Sequence, residues 1–178
     1  SPVIYDDQIW LTSAAKDGKE FYTFCYDRET GKLINEQTIF TAEDPQRIHG
    51  TNSYATPTPC IEDGFVYVHY GNFGTACINT KNFEIVWKRE DMPCDHMQGP
   101  ASSLILHNNK LIVHLNSGEE ELNKITQKSM ESDIRITSHC QDQKEFTTDI
   151  SEHRMDLLLL TEDALPEIDN WMKLLSDA

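Results

Sequence analysis

Pro59-Cys60-Ile61-Glu62-Asp63-Gly64-Phe65-Val66-Tyr67-Val68 is the stretch that decides the fold. A short apolar strand runs into the pair Asp63-Gly64, and a strand of β-branched and aromatic residues leaves it. Asp-Gly suits the tightest hairpin turns, whose central residues take positive φ. The same pattern opens the chain as Pro2-Val3-Ile4-Tyr5-Asp6-Asp7-Gln8-Ile9-Trp10-Leu11. It returns as Leu104-Ile105-Leu106-His107-Asn108-Asn109-Lys110-Leu111-Ile112-Val113. Each copy predicts an antiparallel hairpin. The copies start 57 and then 45 residues apart, near the roughly 40–50-residue period of four-stranded repeat units.

A second pattern follows the first two hairpins. Phe24-Cys25-Tyr26-Asp27-Arg28-Glu29-Thr30-Gly31-Lys32-Leu33-Ile34 matches Ala76-Cys77-Ile78-Asn79-Thr80-Lys81-Asn82-Phe83-Glu84-Ile85-Val86. Strand, polar turn and strand recur, so hairpin plus hairpin predicts a four-stranded antiparallel sheet. Repetition of such sheets around an axis protects their edges. Cys25-Tyr26-Asp27-Arg28-Glu29-Thr30-Gly31-Lys32-Leu33 resembles the signature of the PQQ-like (quinoprotein-type) β-propeller repeat family. Ser53-Tyr54-Ala55-Thr56-Pro57-Thr58-Pro59 and Gly99-Pro100-Ala101-Ser102-Ser103 resemble the segments that lead into that family's first blade strand. Similar chains include proteins of the outer-membrane assembly lipoprotein B type. The sequence departs from the signature at two places: Asn35 stands where a Trp is expected, and Asn82-Phe83 replaces Thr-Gly before Trp87.

The expected fold is therefore mostly β. About two and a half four-stranded antiparallel blades of a partial propeller span residues 1–115, and a small acidic α/β or helical tail spans 116–178. Composition changes at that boundary. Residues 1–115 hold 15 acidic and 9 basic side chains, whereas the shorter remainder holds 15 and 6. Of 16 aromatic residues only Phe146 and Trp171 lie in the tail. In the tail, Asp133–Thr137 alternates like a strand, Asp156–Leu160 reads as a strand or helical turn, and Pro166 opens an amphipathic helix. This order faintly resembles a universal-stress-type fold without its nucleotide-binding glycine loop.

The net charge of −15 argues against nucleic acid and anionic lipid as partners, since both need a basic surface. No apolar run is long enough for a bilayer span. The first residues read as a strand rather than a signal peptide. The resemblance implies a periplasmic or extracellular location, and the sequence reads as a fragment of a larger exported bacterial protein. Five widely spaced cysteines without a CxxC do not read as a disulfide framework.

Blade topology sorts the loops. In a four-stranded meander the hairpin turns between strands one and two and between three and four share one end. The longer connections share the other, and long loops on a rigid scaffold are where binding resides. Four connections read as long: Thr12 to Glu20, Thr41 to Thr56, Tyr70 to Gly74 and Arg89 to Ser102. The candidate ligand-binding residues are Arg47, His49, Asn52 and Tyr54 on one crossover, Asp95, His96 and Gln98 on the next, and Asn72 on the loop between. The plain alternative is that these side chains cap strands and turns. Trp10 and Trp87 read as packing residues.

The leading function is a non-catalytic repeat module that binds a protein or ligand. Its expected partners are a protein, additional blades, or a second copy through open blade edges. No cofactor is expected. The family's quinone enzymes need a complete ring, and many carry an adjacent Cys-Cys pair that this chain lacks. No metal site is expected either, because Cys94, His96, His49 and His139-Cys140 lack metal-ligand spacing. Two alternatives stand beside this reading: a quinone-dependent dehydrogenase or sugar-acting enzyme on the long-loop face, and a nucleotide-responsive tail.

Overall fold

A computed structural model describes residues 1–90, 98–107, 110–113, 136–139 and 157–160. Among them the chain is mostly β, with a single 3-10 turn at Gly71–Phe73 as its one helical segment. Two compact units divide it, Ser1–Leu104 and Ile105–Ala178.

The first unit holds two four-stranded antiparallel meanders. Strands β1 (Val3–Tyr5), β2 (Gln8–Ala14), β3 (Glu20–Asp27) and β4 (Leu33–Thr41) form the first, in that order. Strands β5 (Cys60–Glu62), β6 (Phe65–His69), β7 (Thr75–Asn79) and β8 (Ile85–Arg89) form the second. The two expected hairpins are present, with Ile4 opposite Ile9 and Ile61 opposite Val66. Asp63 and Gly64 both take positive φ, 50° and 83°, as a tight hairpin turn requires. In the first hairpin Asp6 takes it, at 51°.

One connection differs from expectation. β2 runs on to Ala14, with Thr12, Ser13 and Ala14 opposite Thr23, Tyr22 and Phe21. Only Ala15–Lys19 remains as a turn, closed by Gly18 N–H on the Ala15 carbonyl at 2.9 Å. Ser13 and Ala14 are weak strand formers, so pairing with the aromatic run of β3, rather than propensity, extends this strand.

The two meanders repeat one another residue by residue. A row across the first sheet reads Val3, Trp10, Cys25, Asn35, and the matching row of the second reads Cys60, Tyr67, Cys77, Trp87. A register shift follows the cysteine in both, at Cys25/Tyr26 and at Cys77/Ile78. The turn after β3 is tied to the turn after β1 by Arg28 N–H on the Asp7 carbonyl at 2.7 Å. Its counterpart in the second sheet is Thr80 N–H on the Gly64 carbonyl at 2.8 Å.

The last turn of each sheet is built alike. The Asp27 carboxylate accepts the Thr30 N–H and the Thr30 hydroxyl, both at 2.6 Å. Asn79 plays the same part for Lys81 N–H at 2.8 Å. Gly31 at φ 68° and Phe83 at φ 62° take the left-handed position, and each N–H bonds the carbonyl of Asp27 or Asn79 at 2.9 Å.

Alternation along the strands gives each sheet two faces. The Trp10 face of the first sheet meets the Val66 face of the second in one core: Trp10, Phe21, Cys25, Ile39 and Phe40 with Val66, Val68, Tyr70, Ala76 and Ile78. Three polar contacts cross the same seam. Gln8 Nε2 donates to the Thr80 carbonyl at 3.0 Å, the Tyr70 hydroxyl to the Tyr22 carbonyl at 2.7 Å, and Lys88 Nζ to the Ile39 carbonyl.

The second unit contains the third expected hairpin, β9 (Ile105–His107) with β10 (Lys110–Ile112), its turn pair Asn108-Asn109 lying outside the described residues. It also contains the parallel pair β11 (Ile136–His139) and β12 (Leu157–Leu160). Of the strand expected at Asp133–Thr137, Ile136 and Thr137 lie in β11, and of Asp156–Leu160, Leu157–Leu160 is β12, a strand rather than a helical turn; residues 133–135 and 156 lie outside the described ones. The helices expected in the tail lie outside the described residues.

Candidate functional site

The loops at one end of the first unit gather around Tyr54. The turn Ala15–Lys19 places Gly18 at φ +73° directly under that ring, where an added Cβ would sit 2.5 Å from Cζ. Only glycine fits the turn, on conformation and on space. The Tyr54 hydroxyl donates to the Gln46 carbonyl at 2.9 Å. Its ring stands edge-on to Phe21 at 6.2 Å and to Phe73 at 5.9 Å. Phe73 lies on the 3-10 turn with half-buried Asn72 beside it, and it stacks on Phe21 at 4.3 Å. Tyr54 therefore anchors the long crossover to the sheet core.

Asn52 joins that crossover to the segment after residue 97. Its Nδ2 donates to the carbonyls of Gln98 at 2.7 Å and Pro100 at 3.3 Å. Its Oδ1 accepts the Thr56 hydroxyl at 2.6 Å and the Ser53 N–H at 2.8 Å. These four contacts use the amide's full capacity. His49 N–H adds a bond to the Gln98 carbonyl at 3.1 Å, and Thr58 N–H donates to Ser103 Oγ at 3.0 Å. At Gly99, φ +93°, a Cβ would lie 2.5 Å from Ile48 Cγ2. Backbone runs against side chain there with no room between. The two crossovers are zipped along residues 48–58 and 98–103.

Of the eight candidate residues, the structure joins His49, Asn52 and Gln98 directly, sets the Tyr54 ring against Phe73, and has Asn72 next to Phe73 on the 3-10 turn. Arg47 is exposed on the same crossover. Asp95 and His96 lie outside the described residues. Gln98 takes part through its carbonyl. Asn52 and Tyr54 are spent on holding the loops. The side chains that face outward are Arg47, His49 and Gln98, all exposed. Sequence reading missed Gly18 as the seat of Tyr54. The signal was Asp17-Gly18, a turn pair between two strand-like runs.

His49 Nδ1 lies 2.8 Å from Thr51 Oγ1 and also accepts the Thr51 N–H at 3.3 Å. That nitrogen is engaged by its own loop. Among the described residues no three His, Cys, Asp or Glu side chains converge for a metal. The thiols of the sheets lie elsewhere and are muted. Burial pushes Cys25 up to about 11, and burial foremost pushes Cys60 and Cys77 up to about 12. All three are free and protonated at neutral pH. No family model matches the chain, and no curated protein matches it.

Proposed function

We propose that residues 1–115 form a β-propeller-type repeat module. It binds a protein segment or a small polar ligand on its loop face and catalyses no reaction. The observation that carries the reading is the repeat itself. Two meanders share one cross-strand row, one bulge position and one turn-to-turn hydrogen bond, and they stack face against face. Stacked four-stranded units of this kind are how propellers protect their edges. The zipped crossovers add a firm platform from which Arg47 and His49 project, and rigid platforms carrying polar side chains favour recognition.

The geometric half of the proposal is tested by crystallography. Superposing β1–β4 on β5–β8 is expected to need a rotation of roughly 45–90°, the step of a ring of four to eight blades. A nearly pure translation would contradict it. The functional half is tested by panning a displayed peptide library on the protein. Enriched peptides are expected to lose binding to an Arg47→Ala/His49→Ala variant. Peptides that bind both forms equally would place recognition elsewhere. Pyrroloquinoline quinone with calcium is expected to leave the melting temperature unchanged, and stoichiometric uptake would favour the dehydrogenase alternative.

A further inference from the structure

Three shielded polar atoms lie on the face of the first sheet that carries the core. Among the described residues, Thr23 Oγ1, Asn35 Oδ1 and Gln37 Nε2 are closed off from solvent and have no hydrogen-bond partner. Register gathers them. Thr23 stands opposite Gln37, and Cys25, two residues on, stands opposite Asn35. Residues directly opposite, or two apart on one strand, share a face. Phe21 and Cys25 flank Thr23 on that face, and both belong to the core packed against the second sheet. Thr23 itself is 1% exposed. Buried polar groups in folded proteins are paired almost without exception, because they have given up their hydrogen bonds to bulk water.

The repeat shows what a partner looks like at this place. By the matched rows through Trp10–Cys25 and Tyr67–Cys77, the cross-strand set Thr12, Thr23, Gln37 corresponds to His69, Thr75, Arg89. In the second sheet the Thr75 hydroxyl, on a residue 0% exposed, lies 2.8 Å from His69 Nδ1. An imidazole spans the gap between the two strands. In the first sheet Thr12 stands in place of the histidine. Its side chain is shorter, and its hydroxyl turns to the carbonyls of Ala55 and Pro57, 3.3 Å from each. Thr23 keeps the hydroxyl of the pattern and lacks the ring that answers it.

We propose that an ordered water molecule takes the place of that ring nitrogen and bridges Thr23, Gln37 and Asn35. The donor set fits. Gln37 Nε2 only donates, Asn35 Oδ1 only accepts, and a threonine hydroxyl does both. A water that accepts from Gln37 and donates to Asn35 has a third bond left for Thr23, and three is the usual number for a buried water. None of the three groups is charged, so a neutral ligand suits them. Gln37 and Asn35 are complementary and yet do not bond each other. Two positions along a strand are about 6.7 Å apart, a span that two hydrogen bonds of about 2.9 Å through one oxygen close with a small lean of either side chain. The site lies in the seam between the sheets and is independent of what the loop face binds.

A crystal structure of the full chain at a resolution that shows ordered solvent tests it, together with urea denaturation of Thr23→Val. Density for a single oxygen is expected about 2.7–3.2 Å from each of Thr23 Oγ1, Gln37 Nε2 and Asn35 Oδ1. Thr23→Val keeps the β-branch and removes only the hydroxyl. It should lower the folding equilibrium constant about fivefold, the effect of deleting one bond from a bridged set. A hydroxyl with no partner gives the opposite sign, since a methyl in its place removes a desolvation cost. A Thr23→Val protein as stable as the parent, or more so, would overturn the proposal. So would a parent structure with no oxygen between the three groups, or one in which Asn35 and Gln37 turn to bond each other. The parent's density decides if the valine variant does not fold.

Discussion

Phe83 shows how one residue can violate a local rule and still hold its place. It takes φ 62° where the first sheet has Gly31, a conformation that costs a non-glycine residue about 1–2 kcal/mol. The ring offsets that cost by packing on Trp10 at 5.8 Å, a contact worth about 0.5–1.5 kcal/mol beyond the area it buries. Phe83→Ala keeps the strain and loses the ring. It should destabilise by about 2 kcal/mol, and Phe83→Gly by about half as much because the strain goes too. Urea denaturation of the three proteins should return the order Phe, Gly, Ala. An alanine variant as stable as the glycine variant would contradict it.

Asp27 makes the corresponding turn sensitive to pH. Hydrogen bonds from the Thr30 hydroxyl and Thr30 N–H hold its carboxyl below the usual carboxylate range. A depressed carboxyl stabilises the fold above its unfolded value, and the contribution fades as pH falls through the folded value. Asn79 holds the matching turn without a charge, so acid should loosen the first turn and spare the second. NMR titration should find the Asp27 pKa low in the native protein and nearer the ordinary range in Thr30→Ala. An unchanged value in that variant would remove the assigned cause.

The sheets are joined by elements that end in the right place. The pairing of β3 with β4 shifts register between Phe21 and Tyr22, with Ile39 the extra residue on β4, and a bulge leaves ladder groups in need of other partners. The Tyr70 hydroxyl reaches across from the second sheet to the Tyr22 carbonyl. Tyr70 is 0% exposed, so Tyr70→Phe leaves the packing and removes one buried hydrogen bond, at about 1–2 kcal/mol. A melting temperature equal to that of the parent would contradict the bridge. At Gly74 the approach is closer still. A Cβ there would lie 2.5 Å from the Arg89 carbonyl oxygen, a backbone atom that cannot turn aside.

Much of this scale was legible in the sequence. Asp63-Gly64, Asp27 to Gly31 and the matched run Asn79 to Phe83 announce their turns through residues that tolerate or require positive φ. The extension of β2 to Ala14 was not legible, because small residues carry no strand signal of their own and the aromatic partners lie in another segment. The loop face was legible as a place, since topology assigns loops to ends. The roles within it were not. Asn52 and Tyr54 read as ligand contacts in a linear sequence, and only their neighbours reveal that Gln98, Pro100, Gln46 and Gly18 consume them.

For the molecule as a whole, the buried thiols set an alkaline limit. Cys25, Cys60 and Cys77 are raised from 9.0 by burial foremost. A group held protonated by the fold contributes stability that is present below its unfolded value and is lost as pH rises toward the folded one. Stability should therefore fall from about pH 9 upward. Cys25→Ala/Cys77→Ala should flatten the slope while lowering the plateau, and chemical denaturation at pH 8 and pH 10 compares the two. A slope the double variant leaves unchanged would assign the alkaline loss to other groups.

The claim on which the rest stands is that two copies of one sheet pattern lie with the Trp10 face of the first against the Val66 face of the second. Proton NOE spectroscopy of the full chain, with aromatic side chains labelled, reads it most directly. Cross-peaks are expected between the Trp10 and Phe83 rings and between Phe21 and Phe73, whose centroids lie 5.8 and 4.3 Å apart. Strong strand-to-strand cross-peaks within each sheet, with neither of these two between them, would contradict the account.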